Sequence, residues 1–266
     1  MLQEFLTHLF TFAPRHVKKM GYLHELIAIS ARHKRCRSAW QPHLESSKNF
    51  IMQAVNLCPN RKKAVILGSG LLLDIPIPEL SKAFEEVVLV DIAHLPATKW
   101  ETRRYRNLST LNADITGAAH AVYKTRRIVP LETTAWLPGC DSQTSLLISA
   151  NTLSQLPLCP ASFLAEKCRA NEIDVQNWSK TLINAHLKRL ANLTCTVCLI
   201  TDRSISFKDE SGRIQAVRDT LYGIRPEMEL PDIRYKAQWQ WEMAPLGELS
   251  RHCSMTMEVI GLICSK

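Results

Sequence analysis

The chain has 266 residues, enough to bury a substantial core but cramped for two full domains. Hydrophobic residues make up 46% and charged residues 22%, which gives no support for long disorder, and no apolar run approaches the roughly 18 to 20 residues of a membrane-crossing helix. The formal net charge of +8 suits an anionic partner, yet the basic residues come as short clusters, Lys34/Arg35/Arg37, Arg103/Arg104/Arg106 and Lys124/Arg126/Arg127, typical of solvated faces.

Leu2, Phe5, Leu6, Leu9 and Phe10 recur at helical spacing and predict an amphipathic helix over the first dozen residues. Further helices are expected at 22–34 and 43–57, with Trp40 and Pro42 in the linker between them. Residues 1–60 thus read as a helical extension and 61–266 as the main domain. The apolar run 64–67 ends at Gly68-Ser69-Gly70, a helical segment continues through Phe84, and a second apolar run, 87–90, ends at Asp91. This is a nucleotide-binding βαβ pattern. Glycines at a strand-to-helix turn tolerate unusual backbone angles and let a ligand approach the main chain, and the helix start offers free amides. A carboxylate about twenty residues on can accept hydrogen bonds from both hydroxyls of a ribose.

A helix over 96–106 and a strand over 109–112 follow, with Asp114 just beyond. The stretch 116–141 is less readable. A strand over 145–150 leads into Asn151, helices fit 161–170 and 175–191, and 194–201 reads as a fifth strand. Residues 234–243 alternate as RYKAQWQWEM, 245–250 turn, and 252–264 are again strand-like, an antiparallel pair closing the sheet. Alternating strands and helices predict an α/β fold with a doubly wound, mostly parallel, seven-stranded Rossmann-like sheet, whose ligand lies beyond the strand C-termini.

The nine cysteines form no spaced framework and read as free thiols of a reducing compartment. Cys195 and Cys198 fall on a strand-like run that sends them to opposite faces, so no metal site is expected. The N-terminus lacks the order of a signal peptide, and a cytoplasmic location is the expectation.

Five β/α units followed by an antiparallel hairpin resemble the class I S-adenosylmethionine-dependent methyltransferases over about residues 62–266. The resemblance implies that Gly68, Ser69 and Gly70 lie against the amino-acid moiety of S-adenosyl-L-methionine and that Asp91, with Ile92 beside it, holds the ribose. It implies that Asp114 reaches the adenine amino group, with Ile115 or Ala113 as a wall. Ser149, Ala150, Asn151 and Leu153 would flank the methionine part and the acceptor. The chain departs from the family pattern at Ile66, where an acidic residue is frequent, and at Leu72, where a third glycine is. Asp74 either compensates from the pocket wall or caps the following helix.

A nicotinamide-dependent dehydrogenase would need glycine at Leu73, and no GxxxxGK[ST] phosphate loop occurs. Asn151 is followed by Thr152 and Leu153, which disfavours the Asn-Pro-Pro arrangement of nucleic-acid base methylation. Methyl transfer needs positioning and sometimes a base, so no catalytic residue is obligatory. His94 is either such a base, a nucleoside contact or a loop residue. Trp40, His43 and the basic cluster at 34–37 either bind a planar anionic acceptor or an RNA segment, or simply pack; Trp239 and Trp241 read as core. Three functions remain open: methylation of a small-molecule or protein acceptor, RNA methylation through the basic extension, and a non-catalytic binding module of the same fold.

Overall fold

The computed structural model describes residues 11–133 and 137–265. The run from Leu2 to Phe10, the body of the expected first helix, lies outside them. Three helices precede the sheet: α1 (Arg15–Lys19), α2 (Tyr22–Arg35) and α3 (Arg37–Leu57). Cys36 alone separates α2 from α3, so Trp40 and Pro42 lie within a helix and not in a linker. A helix-interior proline costs about 3 kcal/mol. Against it, the buried side chains of Trp40, Leu44, Phe50 and Ile51 each contribute about 1.5–3 kcal/mol on the sheet-facing side. The Trp40 indole N–H also donates to the Met243 carbonyl at 3.0 Å. The helix sits close: a Cβ on Gly261 would meet the Phe50 ring at 2.6 Å.

The sheet is built from β1 (Lys63–Leu67), β2 (Glu86–Asp91), β3 (Leu108–Asn112), β4 (Thr144–Ala150), β5 (Thr196–Lys208), β6 (Ile214–Asp219), β7 (Ile233–Ala244) and β8 (Ser254–Cys264). Helices α4 (Ile77–Ala83), α5 (Pro96–Thr102), α6 (Ala119–Thr125), α7 (Leu158–Cys168), α8 (Glu172–Ala191) and α9 (Pro226–Glu229) connect them, with a 3-10 turn at Leu153–Gln155. Strand order is β3-β2-β1-β4-β5-β8-β7, with β6 paired to β5 off this path. The first five strands run parallel, and β8, β7 and β6 are antiparallel additions.

Period-two alternation explains the two core layers. Val65, Leu67, Val88 and Val90 pack with Trp178, Leu182 and Leu187 of α8, whereas Ala64, Ile66, Val87 and Leu89 pack with Phe50 and Ile51 of α3. Both faces of β1, β2 and β4 are therefore covered, which is why they read as continuous apolar runs, while the edge strand β3 stays largely exposed.

Three expectations change. The helix placed directly after the glycine turn begins only at Ile77, because Leu72 adopts φ +61° and Pro76 biases Ile75 away from helical angles. The fifth strand runs on to Lys208, and the seven-stranded path gains an eighth strand, β6, whose residues are all exposed and so lack an apolar alternation. Helices α1, α6 and α9 were unread. Among the described residues no helix is long and apolar enough to cross a membrane.

Candidate functional site

The strand order reverses between β1 and β4, and a cavity of about 860 Å³ opens beyond the strand C-termini there. Tyr22, Leu26 and Ile29 of α2 and Trp40, His43 and Leu44 of α3 line it from above, while Ile205 and Arg218 bound it at the β5–β6 hairpin. Gly68, Ser69, Gly70, Asp91, Ile92, Asp114, Ile115, Ala150 and Asn151 all lie on its wall. Ser149 does not. It is fully buried, and its hydroxyl meets His186 Nε2 at 3.2 Å, so it leaves the candidate set. Leu153 is likewise buried in the core and absent from the wall.

The glycine turn is shaped by the protein itself. Gly68 has φ +74°, and a Cβ there would lie 1.8 Å from Thr152 Oγ1, so the tip of β4 demands glycine before any ligand does. The Gly70 N–H donates to Asp91 Oδ2 at 2.8 Å, and the Ile92 N–H donates to Asp91 Oδ1 at 2.7 Å. The Ala93 amide also bears on this carboxylate, whose four lone pairs are not all taken up by the three amides. Burial pushes the Asp91 carboxyl up, with His94 and these amides opposing. Asp114 caps its own turn, accepting from the Thr116 and Ala119 amides at 2.9 and 2.7 Å. The adjacent Ile115 carbonyl accepts from the buried Arg189 guanidinium at 3.0 Å.

Asp74 faces the cavity rather than capping a helix. Its Oδ2 accepts from Asn151 Nδ2 at 2.6 Å, and burial raises its carboxyl while Asn151 pulls it down. Asn151 holds φ +48°, and its Oδ1 is buried without a partner among the described residues. Ile66, where the family pattern often has an acidic residue, is fully buried in the core, and Asp74 places a carboxylate on the cavity wall from a different backbone position.

Sequence reasoning missed three wall residues. Tyr22 reaches the cavity from α2, with its hydroxyl buried and unpartnered among the described residues; burial first, then Asp114 and Asp91, push that hydroxyl well up. Asp202 is buried at the bulge of β5, receives a hydrogen bond from Ser154, and is also raised by burial. A carboxylate closing an apolar strand, the signal that marked Asp91, was available for Asp202. Arg218 lies on the unread strand β6.

The histidines divide by environment. His94 is absent from the wall: its Nε2 meets Ser69 Oγ at 3.0 Å and its Nδ1 meets Asn112 Oδ1 at 2.6 Å, which pins the glycine turn to β3. It is a positioning residue. His43 stacks on Trp241 at 4.1 Å, accepts from the Trp239 indole at 3.0 Å, and burial lowers it to about 3, so it is neutral. Of the nearby basic cluster, Arg35 clasps Glu248 together with Arg32.

Charge on the wall inverts that of the chain. Among the described residues, seven carboxylates, of Glu25, Asp74, Asp91, Asp114, Glu172, Asp202 and Asp219, line the cavity against two guanidiniums, of Arg32 and Arg218, and no lysine.

A parallel sheet in the order 3-2-1-4-5, closed by antiparallel strands, with its crevice at the β1/β4 reversal, decides the architecture. The chain has the Rossmann-like class I methyltransferase fold. No family model matches it, and no curated protein does. Solved structures of the methyltransferase fold do match. The N-methyltransferase NodS from Bradyrhizobium japonicum, with S-adenosylhomocysteine, is 10% identical over 80% of this chain and 85% of that one, at a TM-score of 0.38. The Burkholderia thailandensis 1,6-didemethyltoxoflavin-N1-methyltransferase is 9% identical over 91% and 90%, also at 0.38. The DhpI complex with S-adenosylhomocysteine is 11% identical over 91% and 96%, at 0.41. These likenesses are loose, and the strand order, not they, carries the methyltransferase fold.

Proposed function

We propose that this chain is an S-adenosylmethionine-dependent methyltransferase acting on a small-molecule acceptor. The observation that carries the reading is the charge inversion of the cavity: in a protein of net charge +8, the described residues line this crevice with seven carboxylates and two guanidiniums. A dinucleotide pyrophosphate or an RNA backbone would be repelled there, whereas a ligand with a sulfonium and an ammonium would be drawn in. The glycine turn agrees, because the Gly70 amide is already given to Asp91 and is not free to cradle a phosphate.

The donor set fits the cofactor. Asp91 keeps acceptor capacity for the ribose, Asp114 and Ile115 flank the adenine position, and the buried Asp74/Asn151 pair offers a carboxylate and an unpartnered oxygen to the ammonium end. When bound, S-adenosylmethionine supplies a methyl group on a sulfonium centre, whose departing bond pair stays on sulfur. The chain supplies the rest. Helices α2 and α3 roof the cavity and exclude water, so the described part of the 1–60 extension acts as its cover and the 61–266 domain holds the cofactor. Asp202, poised on β5 with a raised carboxyl, takes the proton that an acceptor N–H or O–H releases.

Calorimetric titration tests the reading. Saturable binding of S-adenosylmethionine with no binding of NAD is expected; binding of NAD alone, or of neither, overturns it.

A further inference from the structure

The β6 hairpin carries a feature that the cofactor reading leaves unused. In the sheet register Arg218 pairs with Ile205, Ile205 with Met257, and Met257 with Trp241. These four residues form one lateral row across β6, β5, β8 and β7, and directly paired residues share a face. All four line the cavity. With strands about 4.8 Å apart, the row spans about 14 Å.

Its chemistry is graded. At one end Trp241 is buried beneath the stacked, neutral ring of His43, with Trp40 edge-on at 4.9 Å. In the middle, Ile205 and Met257 are half-buried and present apolar surface. At the other end Arg218 is exposed, and its guanidinium has no ion-pair partner among the described residues. The neighbouring Asp219 points its carboxylate at the Leu221 and Gly223 amides and is spent in that turn. The other guanidinium of the wall, on Arg32, is held by Glu248.

We propose that this row is the floor of the acceptor chamber and that the acceptor is a flat, largely apolar ring compound bearing one anionic substituent. The ring lies over Ile205 and Met257 toward His43 and Trp241, and the anion meets Arg218. In a cavity otherwise lined with carboxylates, a single unpaired guanidinium fixes which end of the acceptor can carry negative charge. The inference rests on the methyltransferase reading for the word acceptor, but its binding chemistry stands apart from the cofactor.

The test uses naphthoate and naphthamide, matched in ring and differing in charge, titrated into the full chain with and without S-adenosylhomocysteine. The wild type should bind naphthoate roughly tenfold more tightly than naphthamide. Arg218→Ala should abolish that preference, Arg218→Glu should reverse it and Arg218→Lys should keep part of it, all with unchanged melting and with cofactor affinity no weaker than that of the wild type. Equal binding of the two probes by the wild type, a preference that survives in Arg218→Ala, or binding of neither probe overturns the proposal. Failure of the cofactor to bind, with naphthoate preference intact, would instead overturn the methyltransferase reading.

Discussion

Replacing Asp74 by asparagine should move cofactor affinity and stability in different ways. The carboxylate is buried on the cavity wall, held by the Asn151 amide at 2.6 Å. An ammonium placed about 6 Å from it, at an effective dielectric constant of about 20, gains about 3 kcal/mol. That is on the order of a hundredfold in affinity, so Asp74→Asn should weaken S-adenosylmethionine binding by about that factor. Stability should hardly change, because the substitution removes a charge that burial disfavours. The Asn151 amide can turn over and offer its unpartnered Oδ1 to the new amide, so the unfolding free energy should stay within about 1 kcal/mol or rise. Calorimetry and urea unfolding read the two quantities separately. Unchanged cofactor affinity in a folded Asp74→Asn variant would refute the placement of the ammonium end.

Tyr22→Phe removes a buried hydroxyl that has no partner among the described residues, so thermal unfolding without ligand should hold steady or improve by about 1 kcal/mol. Gly68→Ala places a methyl 1.8 Å from Thr152 Oγ1 at φ +74° and should lower stability by about 2–4 kcal/mol in a denaturant titration. The carboxyls of Asp74, Asp91 and Asp202 are all raised by burial, so the folded state holds protons that the unfolded state has released. Their contribution favours folding below about pH 4 and is lost as pH rises through the folded values. A cationic ligand reverses the burial effect, so binding should release protons and strengthen with rising pH, seen as buffer-dependent binding heats. With an accepted substrate, turnover should fall as pH drops through the raised range of Asp202, and Asp202→Asn should remove that limb of the profile.

The parallel core was legible because its strands are buried on both faces and read as apolar runs ending at Gly68, Asp91 and Asn151. The segment after Gly70 was not, because Leu72 and Pro76 break the helical start through backbone angles that hydrophobic spacing does not encode. Pro42 suggested a linker, yet burial of Trp40 against Met243 and Trp241 keeps that stretch helical. Strand β6 escaped notice since both of its faces are exposed. Of the wall residues, Gly68, Asp91 and Asp114 follow from local spacing. Tyr22 and Arg218 depend on how distant elements fold over the crevice, and Ser149 was misplaced because strand alternation turns it away from the tip toward His186.

The most direct measurement is a structure of the protein with S-adenosylhomocysteine bound. The ribose hydroxyls should meet the Asp91 carboxylate, the adenine should lie between Asp114 and Ile115, and the amino group should sit within reach of Asp74. A nucleoside bound outside this cavity, or inside it with Asp91 untouched, would contradict the account.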